Sequence, residues 1–514
     1  MFIGIQDTLA LRLHPDDDVA IALAPLAPGQ PVDAGGVRIR PGAAIGAGHK
    51  VALRPVAPGQ PVRRYGQVIG FATCAIAPGD HVHRHNLAVG EMALDYQFGA
   101  DVRPVPYVPL EERRTFAGYR RLRGRAGTRN TIAIIATVNC AAHTVRRIAE
   151  RARVELLPQF PNVTDIVALT HKHGCAMRDS GMELDMLQRT LAGFARHPNV
   201  AGALFVGLGC EVNQFDSLLA QQTARLGDTD LPLYVGIQAE GGVAAAVEAG
   251  VRAVEQLLPL ANTFRREPLP VSELALALQC GGSDSFSGMT ANPALGYAVD
   301  LLVAQGGTAV LSETPEVYGA EHLLTRRAVS REVGEKLVRQ IRWWEAYTAR
   351  EGAEIDNNPA PGNKAGGLTT IFEKSLGAVA KGGSTPLQAV YDYAEPVTAS
   401  GLVFMDTPGY DPVSVTGQVA GGCTLVAFTT GRGSCFGFKP APSLKIATTS
   451  ATYYHMRDDM DVNAGRILEG ATVAQVGHEI FERIIAVASG EPSLSEAQGI
   501  GEEEFNPWLI GAVM

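Results

Sequence analysis

Four apolar runs in this chain stop on a cysteine. "TIAIIATVNC" ends at Cys140, "DIVALTHKHGC" at Cys175, "GALFVGLGC" at Cys210 and "ELALALQC" at Cys280. Soft thiolates with imidazole nearby select iron, iron–sulfur clusters or zinc. A single cysteine at such a place is usually packing, because free Cys is among the most buried residue types. Repetition at four comparable places has no packing reason, so these four residues are candidate metal ligands. No C-x-x-C pair occurs, so a zinc ribbon is not supported. Cys74, Cys423 and Cys435 follow no such rule and read as structural.

Polar residues cluster at the same run ends. They include Asn139, His171, His173, Glu211, Ser283 and Asp284, followed further on by Glu313, Glu316, Asp406 and Arg432. "NPAPGNKAGG" sets Asn363 and Lys364 in a loop suited to close backbone approach. "TTGRGS" flanks Arg432 with glycines, so a guanidinium and backbone N–H groups can meet a carboxylate. "AGHKVAL" carries His49 and Lys50, and "DHVHRHN" carries His81, His83 and His85. Alternate residues of a strand share a face, so the last three either hold a ligand or form a solvated edge. "GLGCE" has no G-x-G-x-x-G continuation, which disfavours a nicotinamide oxidoreductase.

The elements that must position these residues are legible. Apolar runs alternate with amphipathic stretches from about residue 116: "TIAIIAT" precedes "AAHTVRRIAERARVELL", and "DIVALT" precedes "GMELDMLQRTLAGFARH". "GALFVGL" precedes "FDSLLAQQTARL", and "ELALALQC" precedes "NPALGYAVDLLVAQGG". This texture predicts α/β architecture, with Rossmann-like parallel sheets covered on both faces. Ligands of such sheets bind outside the carboxyl ends of the strands, where the residues above fall. The first 95 residues differ. "LAPGQPV", "VAPGQPV" and "IAPGDHV" repeat between short β-rich runs. Pro-Gly sets type II turns, so a small all-β domain is expected. The resulting domains are 1–95, a Pro-rich linker over 96–115, a middle α/β domain over 116–265, and a C-terminal α/β domain over 266–514.

Bulk properties bound the rest. The chain has 514 residues, 46% of them apolar, and a net charge of -9. The acidic balance argues against nucleic acid as a partner. No apolar run reaches the roughly 18 residues that cross a bilayer, so no membrane partner is expected. The start "MFIGIQDTLALRLHPDDD" lacks a basic n-region, and a cytoplasmic location is expected. Seven cysteines without a secretion signal do not suggest a disulfide scaffold.

The motifs "GYRRLRGRAGTRN", "HKHGC", "GLGCE", "CGGSDSFSGMTANPALG", "NPAPGNKAGG" and "TTGRGS" together resemble the altronate/galactarate dehydratase family. "GHKVAL", "RYGQVIGFA" and "HVHRHN" look like its SAF (β-clip) domain. The likeness implies a hydro-lyase that turns an aldonate or aldarate, D-altronate first and galactarate or another sugar acid second, into a 2-keto-3-deoxy acid. It also implies ferrous iron or another divalent cation, and a homodimer. Loss of water across C2 and C3 removes a weakly acidic proton beside a carboxylate and leaves an enediolate. A metal on that carboxylate is worth several kcal/mol, and each preorganised donor adds about 3 kcal/mol. His49, His171 and Lys364 are the candidate acids and bases. Asn139, Ser283, Asp284, Asn363 and Arg432 are the candidate substrate contacts, and Cys140, Cys175, Cys210 and Cys280 hold the metal. His49 can serve only if the β domain docks over the crevice as a lid. A non-catalytic sugar-acid-binding protein is the rival from another class.

Overall fold

Three Ala-Pro-Gly turns set the corners of the N-terminal domain. Gly29, Gly59 and Gly79 have φ of +73°, +77° and +91°. The N–H groups of Gln30, Gln60 and Asp80 donate to Ala27, Ala57 and Ala77 at 3.2, 3.1 and 3.0 Å, as type II turns require. A Cβ at Gly79 would also run into the Arg40 carbonyl. In the computed structural model, which describes residues 8–92, 94–122, 124–222 and 232–511, the turns join two small antiparallel sheets. The first contains Ala10–Leu11, Val19–Ala22, Lys50–Ala52 and His81–Val82 in that order. The second contains Pro61–Arg64, Gln67–Ala72 and Leu87–Ala88. Lys50 pairs with Val82 and Val51 with His81, which sets His49 beside the His81 strand. The first seven residues, on which the leader reading partly rests, lie outside the described residues.

The middle domain is the expected parallel sheet. Asp165–Leu169, Thr131–Ala136, Val200–Gly207 and Leu233–Gly236 lie side by side in that order. Ile132 and Ile134 point to one face, against Val145 and Ile148 of helix Ala142–Glu155 and Val254 of helix Val243–Ala261. Ala133 and Ile135 point to the other, against Leu187 and Leu191 of helix Met182–Ala195. The helix expected after "GALFVGL" runs over Phe215–Gln221, and residues 223–226 of that reading lie outside the described residues. The domain is entered by strand Thr115–Tyr119 and left by Arg266–Pro270, and these two pair antiparallel over their whole length.

The C-terminal sheet has seven parallel strands. Their order is Leu387–Tyr391, Gly401–Met405, Thr308–Leu311, Ala275–Cys280, Leu425–Thr430, Ser443–Ala447 and Val462–Asn463. Helices Ala291–Ala304 and Val473–Ala488 cover one face. Helix Asp411–Ala420 covers the other, and the apolar cluster there continues into the middle domain. From Ala275–Cys280 the chain builds outward on one side, then returns to add Leu425–Thr430 on the other. The reversal opens a crevice at the carboxyl ends of these two neighbours, where open α/β sheets bind ligands. Among the described residues, no helix is long and apolar enough to cross a membrane.

Candidate active site

The loops leaving the two switch-point strands are tied together. Gly431 and Arg432 both donate backbone N–H to the Gly282 carbonyl, at 3.2 and 2.8 Å, and Gly282 has φ +61°. The Arg432 side chain is exposed beside them. Asp284, expected to touch substrate, is instead consumed by the loop. Its carboxylate accepts from Phe286 N, Ser287 N, Ser287 Oγ and Thr448 Oγ1 at 2.9–3.2 Å. Burial holds its acidity below that of a free carboxyl, against these donors. Asn363 is consumed likewise: Nδ2 donates to the Ser283 carbonyl at 2.8 Å, and Oδ1 accepts from Ala360 N at 2.9 Å. Both residues spend their polar atoms on holding the loops in shape. Ser283 Oγ, by contrast, is buried without a hydrogen-bond partner among the described residues.

The N-terminal domain docks on this crevice and brings imidazoles with it. Ring nitrogens of His49, His81 and His83 lie within 4.8 Å of one another. His49 Nδ1 and His81 Nε2 are 3.0 Å apart, and the His49 ring also bonds the backbone at Ala365, in the short helix Pro361–Ala365 that carries Lys364 where the sequence suggested a loop. Asn86 fixes the tight bend behind them, accepting from His83 N at 2.9 Å and donating to the His81 carbonyl at 3.0 Å. Burial, then the charges of neighbouring His49 and His85, hold His81 at about 4. Burial and Lys50 hold His83 at about 4 as well. The three rings are therefore neutral at pH 7, with lone pairs to offer. His83 Nδ1 is buried with no partner among the described residues. Neutral imidazoles, one of them unpartnered, fit a divalent transition metal such as iron. Of the histidines that could share a strand face, His85 is not in this group, although its ring centroid lies 5.5 Å from that of His81. The structure thus draws His49 into a potential ligand set. Lys364 sits half-buried on the rim. It acts on the carboxyl of Asp356, which burial, the larger effect, raises.

What holds the β domain in place is a buried ion triad. Lys50 Nζ donates to both carboxylate oxygens of Glu373 at 2.9 Å and to the Gly367 carbonyl at 2.6 Å. Arg64 donates to Glu373 at 2.6 Å and to Ser285 Oγ and O, each at 2.8 Å. Burial alone would raise Glu373, but Lys50 and Arg64, with Thr369, more than reverse it and hold it at about 2. Burial lowers Lys50 to about 8, so it remains charged at neutral pH. Gly48 and Gly367 cross back to back, with no room for a Cβ at Gly367, whose φ is +95°. Lys50 was noted in the sequence beside His49, but neither Arg64 nor Glu373 was singled out. The available signal was a charged Glu373-Lys374 pair inside the otherwise apolar helix Ile371–Val379.

The four predicted cysteine ligands do not form one site. Cys280 belongs to the C-terminal sheet and is buried. Its Sγ and the carboxylates of Glu313 and Glu316 lie within 4.8 Å of one another. Ammonium groups already fill the place of a cation there. Lys381 Nζ is 2.9 Å from Cys280 Sγ and 3.3 Å from Glu313, and Lys374 Nζ is 2.7 Å from Glu316. Burial pushes the Cys280 thiol up to about 12 despite Lys381, which leaves it a neutral thiol rather than a thiolate ligand. Burial and Glu316 likewise push Asp411 up to about 7.

Cys140, Cys175 and Cys210 stand together at the carboxyl ends of three adjacent strands of the middle sheet, and all three are exposed. Asn139 lies with them, not with Ser283, because its N–H donates to the His173 carbonyl at 3.0 Å. His171 is also there and cannot serve as an acid or base. Burial lowers it to about 3, its Nε2 bonds the Ala136 carbonyl at 2.8 Å, and its Nδ1 accepts from His173 N at 3.1 Å.

Comparison with known proteins covers all three domains. Residues 8–90 match the altronate/galactarate dehydratase SAF domain. Residues 118–262 match the D-galactarate dehydratase/altronate hydrolase second domain, and 271–513 the D-galactarate/altronate dehydratase C-terminal domain. The chain is 37% identical to altronate dehydratase of Bacillus subtilis, over 94% of its own length and 95% of the relative's. It is 36% identical to altronate dehydratase of Escherichia coli, over 96% and 97%. It is 37% identical to the L-threo-forming galactarate dehydratase of E. coli, over 90% of each chain.

Proposed function

Because this chain belongs to the D-galactarate/altronate dehydratase family, we propose that it is a hydro-lyase acting on a sugar acid, with altronate the first substrate and galactarate the second. The observation that carries this reading is the junction of the β domain with the C-terminal crevice. There, neutral imidazoles, an exposed guanidinium and the half-buried amine of Lys364 lie on the segments that border the crevice. Arg432, with the backbone donors of the glycine loop around it, suits the substrate carboxylate. Ser283 Oγ, unpartnered and buried, suits a substrate hydroxyl. His49, His81 and His83 would hold a divalent cation, for which iron is the choice by likeness to the family. Bound there, such a cation supplies Lewis-acid stabilisation of charge on the substrate's carboxylate. Proton transfer at C2 falls to Lys364, since both ring nitrogens of His171 are occupied and His49 belongs to the imidazole group. The Lys50–Glu373–Arg64 triad keeps the β domain seated, so that the imidazoles face the crevice during the reaction. A homodimer, also by likeness, is the assembly, and sedimentation reads it directly.

Anaerobic turnover of a sugar-acid panel with ferrous iron and reductant tests the reaction. A 2-keto-3-deoxy product from altronate, abolished by chelation, is expected. Product from galactarate alone would move the substrate to the second choice. Tight binding without turnover of any member would replace the enzyme by a binding protein. Lys364→Met is expected to lower kcat by about 10²- to 10⁴-fold, the usual worth of a positioned base, with KM changed only a few-fold. Equal loss in KM instead would make Lys364 a substrate-binding residue.

A further inference from the structure

We infer that Cys140, Cys175 and Cys210 form a second metal site, separate from the imidazole group, that takes an iron–sulfur cluster. The three residues lie in the loops that follow Thr131–Ala136, Asp165–Leu169 and Val200–Gly207, with Thr131–Ala136 in the middle. Neighbouring strands lie about 4.8 Å apart, so the three loops span roughly 10 Å of one sheet edge. Their backbones are locked to one another. Asn139 N donates to His173 O and Asn213 N to Gly174 O, both at 3.0 Å, and Asn213 Nδ2 donates to Thr137 O at 2.9 Å. Gly174 has φ +95°, and a Cβ there would strike Thr137 and Val138. Glu211, buried behind Cys210, accepts from Thr137 Oγ1 at 2.7 Å, Leu208 N at 3.2 Å and Gly209 N at 2.6 Å. Each cysteine therefore sits within three residues of a contact between loops, on a rim that is already rigid.

The scale of the rim decides the ligand. Thiolates on one tetrahedral ion, with bonds of about 2.3 Å, stand roughly 3.8 Å apart. The three sulfurs here do not all lie within 4.8 Å of one another, and the locked loops resist closing further. A cluster of several irons bridged by sulfide is wider than a single ion and suits thiolates carried on three separate, fixed loops. One iron is then left without a protein thiolate. Gln238 Nε2, 3.5 Å from Cys210 Sγ, supplies the N–H···S contact that tunes such sulfurs. The thiols lose their protons on assembly, and two ferrous ions, two ferric ions and four sulfides make up the core without a further oxidant.

The experiment is anaerobic reconstitution of the full chain with equal amounts of ferrous and ferric salt and with sulfide, desalting, and assay of iron, acid-labile sulfide and visible absorption. The wild-type chain is expected to keep sulfide, with roughly four irons in the cluster, and to absorb broadly in the visible. Cys140→Ser/Cys175→Ser/Cys210→Ser is expected to lose the sulfide and the absorption while keeping its far-ultraviolet circular dichroism. Cys74→Ser/Cys435→Ser removes two other exposed thiols and is expected to keep both. His83→Ala is expected to keep the sulfide too, which separates this site from the imidazole group. Wild-type chain without sulfide, or a triple variant retaining as much as wild type, overturns the inference. The readout involves no turnover, so it stands or falls independently of the proposed reaction.

Discussion

Glu373→Gln should destabilise the folded chain by about 3–5 kcal/mol, the usual cost of leaving buried charge without its partner. The amide cannot neutralise Lys50 and Arg64, both fully buried against it. Urea titration followed by tryptophan fluorescence reads the loss, and a shift below about 1 kcal/mol would show the triad to be dispensable. The pH dependence has a definite sign. Glu373 is held at about 2 in the folded chain, below the ordinary carboxyl value of 4.5. Its contribution is thus complete above pH 4.5 and is lost as pH falls toward 2. Integrated over that window it amounts to about 3 kcal/mol. The Gln variant should be weaker at neutral pH and flatter in acid. Loss of the β domain's seat should also cost activity, because the imidazoles ride on that domain.

His81→Ala and His83→Ala should each lower kcat/KM by roughly 10³-fold, the worth of the several kcal/mol that a correctly held cation supplies. His85→Ala, outside the imidazole group, should cost less than tenfold. Anaerobic calorimetric titration with ferrous or manganous ion distinguishes the causes. Weaker cation binding in the first two variants, with circular dichroism preserved, supports the ligand role. Unchanged cation binding would reassign these rings to the substrate and would place the iron elsewhere.

The sheets were legible because buried parallel strands spell continuous apolar runs. The Pro-Gly corners were legible because only a positive φ at glycine satisfies them. The strand-end rule picked out residues that do follow strands, but it could not say which sheet each belonged to. Cys280 and Cys210 look alike in sequence, yet one is sealed beneath Lys381 and the other is exposed. Nor does sequence spacing show that Asp284 and Asn363 spend their polar atoms on neighbouring backbone, or that His171 has both nitrogens occupied. Such satisfaction depends on groups brought from distant segments: Thr448 for Asp284, Ala136 for His171. The triad was hidden for the same reason. Lys50 and Glu373 are 323 residues apart, and each reads alone as a charge misplaced in an apolar stretch.

The Lys50–Glu373–Arg64 contact bears on how substrate travels. The expectation of a lid assumed a β domain that lifts away between turnovers. Lifting it would bare three ionised groups and part the crossing of Gly48 and Gly367, at a cost too steep to repeat every cycle. The β domain behaves as masonry, part of the wall of the chamber. With the domain seated, traffic would have to use a fixed doorway, for which the exposed Arg432 and the half-buried Lys364 are the candidate edges. Selection among sugar acids would accordingly be made by the width and charge of that doorway, before any bond is broken.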